Sequence, residues 1–235
     1  RDIVCVMCLR CDICYIFTYL DVSAFDTRNV TDMSWMFEHC EKLASIDVSS
    51  FDTSKVTNMN SMFYCCYAQS LDVSSFNTSN VTDMSDMFGI CPNLSSLDVS
   101  SFDTSKVTNM SGMFRSEIGH NPTIQILGLS SFNTSKVTDM SSMFAYQKNF
   151  TSLDLSGFDT SNVTDMSYMF RNCIRLETLN LSGWNLMNLS DTNLMFIGDD
   201  SLKTIYMRGC NQATINKIKE ALGNENILNQ VTIIT

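Results

Sequence analysis

The stretch LDVSSFNTSNVTDMSDMF at residues 71–88 returns almost unchanged as LDVSSFDTSKVTNMSGMF at residues 97–114. Its S-x-F-[DN]-T core recurs along the chain, with Trp replacing Phe in the last copy, at Phe25, Phe51, Phe76, Phe102, Phe132, Phe158 and Trp184. Successive copies are 26, 25, 26, 30, 26 and 26 residues apart. A fixed period of this length predicts a solenoid, in which each repeat forms one coil and neighbouring coils bury each other's apolar faces.

Each repeat contains two apolar patterns. The L-D-V triplet, as at residues 97–99, alternates apolar and polar side chains, which predicts a short strand with one buried face. The segment that follows has the spacing of a two-turn amphipathic helix, as in Val81, Met84, Met87 and Phe88. The Asp, Asn, Thr and Ser residues before it are typical of helix N-caps. We therefore predict an α/β fold: a leucine-rich-repeat-like solenoid with a parallel sheet of short strands and short helices on the other side.

The strand triplets can be followed along the whole chain. Their first residues are Leu20, Ile46, Leu71, Leu97, Leu127, Leu153, Leu179 and Ile205, and one period later comes Val231. After residue 210 the repeat motif is no longer present, and an amphipathic pattern over residues 211–223 predicts a longer helix. We expect a repeat solenoid over residues 1–210, of which 1–19 form a degenerate partial first repeat, and a capping helix with a last strand over 211–235.

Charge and hydropathy exclude two classes of partner. The chain has 25 Asp and Glu against 15 Lys and Arg, a net charge of −10, which is the wrong sign for binding nucleic acid. No uninterrupted apolar stretch approaches the roughly 18 to 20 residues that a membrane-spanning helix needs, so we expect no membrane insertion in this segment. The sequence begins within a repeat and shows no secretion signal or anchor, so we expect a fragment or a processed product.

The cysteines near the start invite a cluster-binding interpretation. Cys5, Cys8, Cys11 and Cys14 are spaced C-x2-C-x2-C-x2-C, but ferredoxin runs have a longer last gap followed by Pro. Moving the segment forward by 26 residues places Cys14 on Cys40, which favours a degenerate repeat over an iron–sulfur site.

A column of cysteines follows the repeat. One position, three residues after the second conserved Phe, holds Cys14, Cys40, Cys66, Cys91 and Cys173, with Gln147 and Asp199 in other copies. A small semi-polar side chain at this position is expected to pack inside the turn. Stacking in register rarely gives disulfide geometry, so we favour free thiols.

Acidic residues occupy the middle of the strand triplets and are expected to point out of the sheet. They are Asp21, Asp47, Asp72, Asp98 and Asp154, with Gly128, Asn180 and Tyr206 in the same file. One hypothesis makes them a candidate binding face, either an acidic recognition surface or a loose surface for divalent cations. The simpler alternative is a solvated strand face that keeps the coils soluble, and we predict no tight metal site.

Catalytic chemistry finds no support in the residue pattern. His39 and His120 are far apart in the sequence, have no Ser or Cys nucleophile pattern beside them, and are not spaced as metal ligands. Residues 115–127 form an insertion four residues longer than the equivalent residues 38–46, and such a loop can carry binding specificity. We expect no enzyme activity, no catalytic residues and no cofactor.

Units such as LDVSSFDTSKVTNMSGMF and LDLSGFDTSNVTDMSYMF, each with a V-T-[DN]-M-S-x-M-F string, resemble the BspA-type leucine-rich repeat surface proteins. The resemblance covers residues 20–208, with Leu189 and Thr192 as departures in the last copy. It implies display at the cell surface or secretion, and adhesion to host extracellular proteins or other cells.

Two functional hypotheses follow. The first is a non-enzymatic recognition module whose extended solenoid face binds a protein or glycan ligand. The alternative is a structural spacer or a fibre component, for example of a phage or a surface appendage, in which repetition supplies length.

Overall fold

The computed structural model describes residues 18–119 and 124–235, and these residues form a stack of parallel coils. The strands are β1 (Ser45–Ile46), β2 (Ser70–Leu71), β3 (Ser96–Asp98), β4 (Gln125–Leu127), β5 (Ser152–Asp154), β6 (Thr178–Asn180), β7 (Thr204–Tyr206) and β8 (Thr232–Ile234). They pair in parallel as β1-β2, β3-β4 and β5-β6-β7-β8. One coil per repeat and parallel pairing of the triplets confirm the predicted solenoid.

The prediction of a short helix in every repeat was wrong. In the described coils the segment after the strand is a run of tight turns, and α1 (Gln212–Asn224) is the one α-helix of residues 18–119 and 124–235. We call this segment the turn ridge; it runs from the first Met of the M-S-x-M-F motif to the sixth residue after it, residues 84–90 in one coil. Val81, Met84, Met87 and Phe88 are nevertheless buried in the core, as their spacing indicates.

The direction of the backbone N–H groups explains why the turn ridge is not helical. Every second one donates to a carbonyl of the next coil: Met84 to Asn109 (3.0 Å), Asp86 to Ser111 (2.7 Å), Phe88 to Met113 (3.0 Å) and Ile90 to Arg115 (2.8 Å). The N–H groups of Met87 and Gly89 turn back to carbonyls three residues earlier in their own coil. A helix would direct every N–H group to its own fourth-preceding carbonyl and leave none for stacking.

A row of parallel bridges just before the turn ridge runs through the coils without a break. It joins Asp32, Asn58, Asp83, Asn109, Asp139, Asp165 and Asp191, each to the next. The strand sheet, in contrast, is divided into three parts in the described residues. The bridges and the turn ridge therefore hold the stack together where the strands do not pair.

Each turn ridge includes residues in the left-handed backbone region. Asp86 and Ile90 have φ of 52° and 54°, and equivalent residues in other coils are similar. A non-glycine residue there costs about 1–2 kcal/mol, so the inter-coil hydrogen bonds must outweigh this strain. Glycine relieves it at Gly112 and Gly198.

Aromatic rings stack through the core in the direction of the solenoid. The second conserved Phe of each repeat forms one column, made of Phe37, Phe63, Phe88, Phe114, Phe144, Phe170 and Phe196. Successive ring centroids lie 5.4–6.2 Å apart and the ring planes differ by at most 15°. The methionines of the M-S-x-M-F motif pack beside them and are buried from Met33 to Met195. Identical neighbours thus supply the apolar wall that one repeat lacks.

On another side of the coil, buried threonine side chains make the bonds between coils that paired strands make elsewhere. The Thr104 hydroxyl donates to the Asn133 carbonyl (3.0 Å) and accepts from the Asn133 N–H (2.8 Å). Thr53 makes the same two bonds to Asn77, and Thr160 makes them to Asn185. Each hydroxyl therefore satisfies both backbone polar groups of one residue in the next coil.

Two predicted registers need correction. Leu97 pairs with Ile126, and Asp98 pairs with Leu127, so Leu127 and not Gly128 stands in the acidic file. Gly128 is an extra residue with φ of 89°, and a Cβ there would lie 2.4 Å from the Ser100 nitrogen. At the other end Ile205 pairs with Ile233 rather than Val231. The longer helix and a 3-10 turn at Leu228–Gln230 take up the additional residues.

The last described coil carries α1 in place of a turn ridge. The Asn211 side chain caps this helix by accepting from the Thr214 N–H (2.8 Å). Ile218, Ala221 and Leu222 are buried, and the Thr214 hydroxyl accepts from the Leu186 N–H (3.0 Å). The helix thereby covers the core at this end, and β8 pairs with β7 beyond it.

The buried threonine bridge predicts a large difference between two Thr→Val substitutions. Thr104→Val leaves the N–H and the carbonyl of Asn133 without a partner, so we expect a loss of roughly 2–4 kcal/mol in unfolding free energy. Thr108→Val removes an exposed hydroxyl whose acceptor, the Thr82 carbonyl, also receives the Thr108 N–H, so we expect a change within about 0.5 kcal/mol. Urea denaturation measures both, and equal losses would contradict the bridging role.

The left-handed positions predict opposite effects for neighbouring serines. Ser142 has φ of 57°, so Ser142→Gly relieves strain. Ser141 is not in this region, and Ser141→Gly only increases the backbone entropy that folding must remove. We expect Ser142→Gly to be more stable than Ser141→Gly by about 1 kcal/mol in thermal or urea unfolding. The reverse order would show that the strain is negligible.

Candidate functional site

The exposed face of β1, β2 and β3 forms an open depression of about 550 Å³. Asp47, Asp72 and Asp98 line it, together with serines that precede them in the strands. We call these three residues the acidic strand face. β1 pairs with β2, and Asp72 is close enough to Asp98 to oppose the lowering of its pKa, so the three carboxylates are neighbours on this face.

The five predicted acidic residues do not form one continuous file. Asp21 is close enough to Asp47 to raise its pKa, so it extends the acidic strand face by one coil. Asp154 lies on β5, and the exposed Leu127 of β4 occupies the file between it and Asp98. The structure therefore brings four of the predicted residues together and places Asp154 beyond an apolar interruption.

Each carboxylate of the acidic strand face also shapes its own backbone. The Oδ1 atoms of Asp47, Asp72 and Asp98 accept from the N–H group two residues later, at 3.0, 2.9 and 2.9 Å. These bonds to serine lower the pKa of all three carboxyls; desolvation opposes the shift in each, and acidic neighbours also oppose it for Asp47 and Asp98. The face is therefore ionised at neutral pH and held in place by Asx turns.

A surface rich in Arg and Tyr lies on the turn ridge. The Arg115 guanidinium donates to Asp86 and, at 2.9 Å, to the Tyr64 hydroxyl. Farther along, the Arg171 guanidinium lies 5.4 Å from the centre of the Tyr146 ring and 5.3 Å from that of Tyr168. This surface was not predicted from the sequence, because its residues differ from repeat to repeat and are therefore not part of the repeating pattern.

A mixed cluster of possible metal ligands lies at the end of the turn ridge, with Glu41 two residues beyond it. His39, Glu41 and Cys65 each bring one donor atom within 4.8 Å of the others. Their chain spacing does not match a familiar metal motif, which is why the sequence pattern did not single them out. The separation of His39 and Cys65 could have indicated the cluster, because 26 residues is one repeat period and places the two residues at the same position in consecutive coils.

The interior cysteine column uses its side chains as hydrogen-bond donors. The thiols of Cys91 and Cys173 donate to the carbonyls of Phe63 (3.3 Å) and Phe144 (3.2 Å) in the preceding coil, and burial raises the pKa of both thiols. At the same position the Gln147 amide donates to the Phe114 carbonyl. Cys5, Cys8, Cys11, Cys14 and His120 lie outside the described residues.

Asp199 stands in the same column and is fully buried. Its Oδ1 atom accepts from the Cys173 N–H (2.8 Å), whereas Oδ2 has no hydrogen-bond partner among the described residues. Burial raises the pKa of Asp199 to about 9, so the side chain is a neutral acid at pH 7. A protonated carboxyl can donate, as the thiols and the amide do at this position.

Comparison with known proteins places the repeat in a family. Residues 12–126 and 118–231 each match the family described as Mycoplasma protein of unknown function, DUF285. The chain belongs to this family. The two DUF285 matches together span nearly the whole solenoid, including its last coil and α1. A search of curated proteins finds no match.

Helix α1, of 13 residues, is the one α-helix in the part of the DUF285 chain that the structure describes. No helix there combines the length and the apolar character required to span a bilayer.

The buried acid predicts a pH dependence that a single substitution removes. The folded pKa of about 9 is raised above the ordinary value of 3.8, so Asp199 contributes most below pH 4, and stability falls as the pH rises towards 9. Asp199→Asn keeps a neutral donor and acceptor. We expect the free energy of unfolding of Asp199→Asn, measured relative to that of the wild type, to increase from pH 5 to pH 8 by up to about 1.4 kcal/mol per pH unit.

Thermal unfolding of both proteins across this range measures the effect. Asp200→Asn removes an exposed carboxylate next to it and is the matched control, for which we expect a constant difference from the wild type. An Asp199→Asn difference that does not change with pH would show that the carboxyl is ionised in the folded protein.

Proposed function

We propose that this DUF285 protein is a non-enzymatic recognition module whose acidic strand face binds a protein or glycan partner in adhesion. The observation that carries the proposal is the set of three ionised carboxylates in one open depression of about 550 Å³. Asx turns already hold the carboxylates in place, so a partner would meet an ordered surface and little conformational entropy would be lost on binding.

The chemistry of the face limits the partner. Ionised carboxylates accept hydrogen bonds, so a complementary surface offers Lys or Arg side chains of a protein, or the hydroxyls of a glycan. The net charge of −10 opposes binding to nucleic acid. The resemblance to BspA-type surface proteins, which is compatible with the DUF285 repeat, supports host extracellular proteins as the partner class and supports surface display or secretion.

The titration behaviour of the face supports binding rather than catalysis. A general acid needs a carboxyl whose pKa is raised towards neutrality. Asp47, Asp72 and Asp98 have lowered pKa values, and Asp199, whose pKa is raised, is enclosed in the core. We therefore infer that the described face acts as a binding surface without catalytic groups.

The C-terminal cap favours a discrete module over the alternative of a fibre component. Helix α1 covers the core with Ile218, Ala221 and Leu222, and its outer side carries polar residues such as Lys219 and Glu220. A fibre built by end-to-end stacking would need an open core at this end, which the helix occupies.

Removal of the three charges tests the proposal. The triple variant Asp47→Asn, Asp72→Asn and Asp98→Asn should retain its turns, because Asn180 in the same file accepts from the Ser182 N–H at 3.1 Å. We expect its capture by a panel of immobilised extracellular matrix proteins and glycans to fall at least about tenfold, with weaker salt dependence for what remains.

A matched control removes the same charge from another side of the coil. Asp52, Asp103 and Asp159 make equivalent Asx turns at the second turn of the repeat, where other coils have Asn. Changing these three to Asn should leave capture unchanged. If both variants lose capture equally, the effect arises from the net charge of the protein and not from the acidic strand face. If neither variant loses capture, the acidic strand face is not the binding site.

A further inference from the structure

Three different kinds of metal-ligating atom meet at the end of the turn ridge, near the start of the described solenoid. One imidazole nitrogen of His39, a carboxylate oxygen of Glu41 and the Cys65 sulfur all lie within 4.8 Å of one another. The Nδ1 atom of His39 is 3.9 Å from the Glu41 Oε1 atom. This cluster lies apart from the acidic strand face and is not used by the proposed function.

The backbone of two consecutive coils brings the cluster together. The His39 N–H donates to the Tyr64 carbonyl (2.8 Å), which places His39 directly beside Cys65. Both residues have left-handed backbone conformations, with φ of 55° and 56°. The Glu41 N–H then donates to the His39 carbonyl (2.8 Å) and turns the Glu41 side chain back towards the imidazole.

Packing restricts two of the three side chains before any ligand arrives. The Tyr64 ring meets the imidazole edge to face, with ring centroids 5.8 Å apart. Cys65 is only 9% exposed, so its sulfur is fixed by the core behind it. The side chains of His39 and Glu41 are 42% and 35% exposed and have room to move by the small distance that ligation requires.

The local electrostatic field favours a cation. Glu41, Glu117 and Glu38 lie close enough to the Cys65 thiol to act on it electrostatically, and the Arg115 guanidinium acts on it with the opposite sign. Three carboxylates against one guanidinium give a negative potential, which attracts a divalent ion to the sulfur. Binding of such an ion would replace the proton on the sulfur and offset the charge of the acids.

We propose that His39, Glu41 and Cys65 form a site for a divalent transition metal ion, with Zn²⁺ as the best match. Imidazole, carboxylate and thiolate together are a zinc ligand set, whereas Mg²⁺ and Ca²⁺ prefer oxygen ligands only. Three protein ligands leave the fourth tetrahedral position to water or to a partner's side chain. Zn–N and Zn–S bonds of about 2.0–2.3 Å require the donor atoms to approach one another by about 1 Å.

The site links two coils by a bond that the repeat itself does not provide. It departs from the expectation of no metal site, because that expectation considered ligand spacing along the chain. In a solenoid one period brings residues together as effectively as the three or four residues that separate neighbours on a helix. The coil that follows Cys65 has Ile90, which cannot ligate a metal, at the position of His39 and Cys65, so the site is confined to this pair of coils.

Titration of the full chain with Co²⁺, as a spectroscopic substitute for Zn²⁺, tests the site. We expect one Co²⁺ per chain to produce thiolate-to-metal charge-transfer absorption, which stoichiometric Zn²⁺ abolishes by displacement. Cys65→Ser should remove this absorption, and His39→Ala or Glu41→Gln should each weaken Co²⁺ binding at least about tenfold. The last two side chains are partly exposed, so these variants remain informative if Cys65→Ser fails to fold.

Two control variants separate this site from the other thiols of the chain. A full-length variant with Cys5, Cys8, Cys11 and Cys14 changed to Ser should keep the absorption, as should Cys91→Ser, which alters a buried thiol outside the cluster. Absorption that survives Cys65→Ser but disappears from the four-cysteine variant would overturn the proposal. So would Co²⁺ affinity that is unchanged in both His39→Ala and Glu41→Gln.

Discussion

The structure depends on backbone hydrogen bonds that leave one coil and end in the next. On the turn ridge every second N–H group, such as those of Met84, Asp86 and Phe88, donates to the following coil. Buried backbone polar groups must be paired, so this alternation requires a repeat of nearly constant length and a left-handed residue at regular intervals. It also holds the aromatic column at one spacing, since the Phe side chains are carried by the same residues that make these bonds.

Polar side chains complete the pairing wherever the backbone turns away from its neighbour. Buried threonines such as Thr104 bridge one coil to the next, and Asp or Asn side chains close the three turns of a repeat. This explains how a chain with few Gly and Pro residues can turn so often. The interior column follows the same rule, because the thiols of Cys91 and Cys173 and the amide of Gln147 all donate to a carbonyl of the preceding coil.

Residues that make the contacts between coils recur in every repeat, whereas other positions vary from repeat to repeat. The two candidate sites use these two kinds of position differently. The acidic strand face is a by-product of Asx turns that the fold needs, repeated until the carboxylates form a surface. The cluster of His39, Glu41 and Cys65, in contrast, uses positions that the stack leaves open to variation. Solenoid geometry converts a distance of one period in the sequence into direct proximity, so each pair of coils can carry its own chemistry.

The period, the solenoid and the identity of the core side chains can all be derived from the sequence, because burial by identical neighbours leaves a repeating apolar pattern. The sequence also placed Asp47, Asp72 and Asp98 on one face. The packing of the coils was needed to show that Val81, Met84, Met87 and Phe88 lie on turns rather than on a helix. Apolar spacing records which side chains are buried, whereas the choice between helix and turn depends on whether the N–H groups bond within a coil or across to the next. The sequence pattern also did not predict the extra residue at Gly128 or the contact between His39 and Cys65, because both depend on how consecutive coils pack against each other.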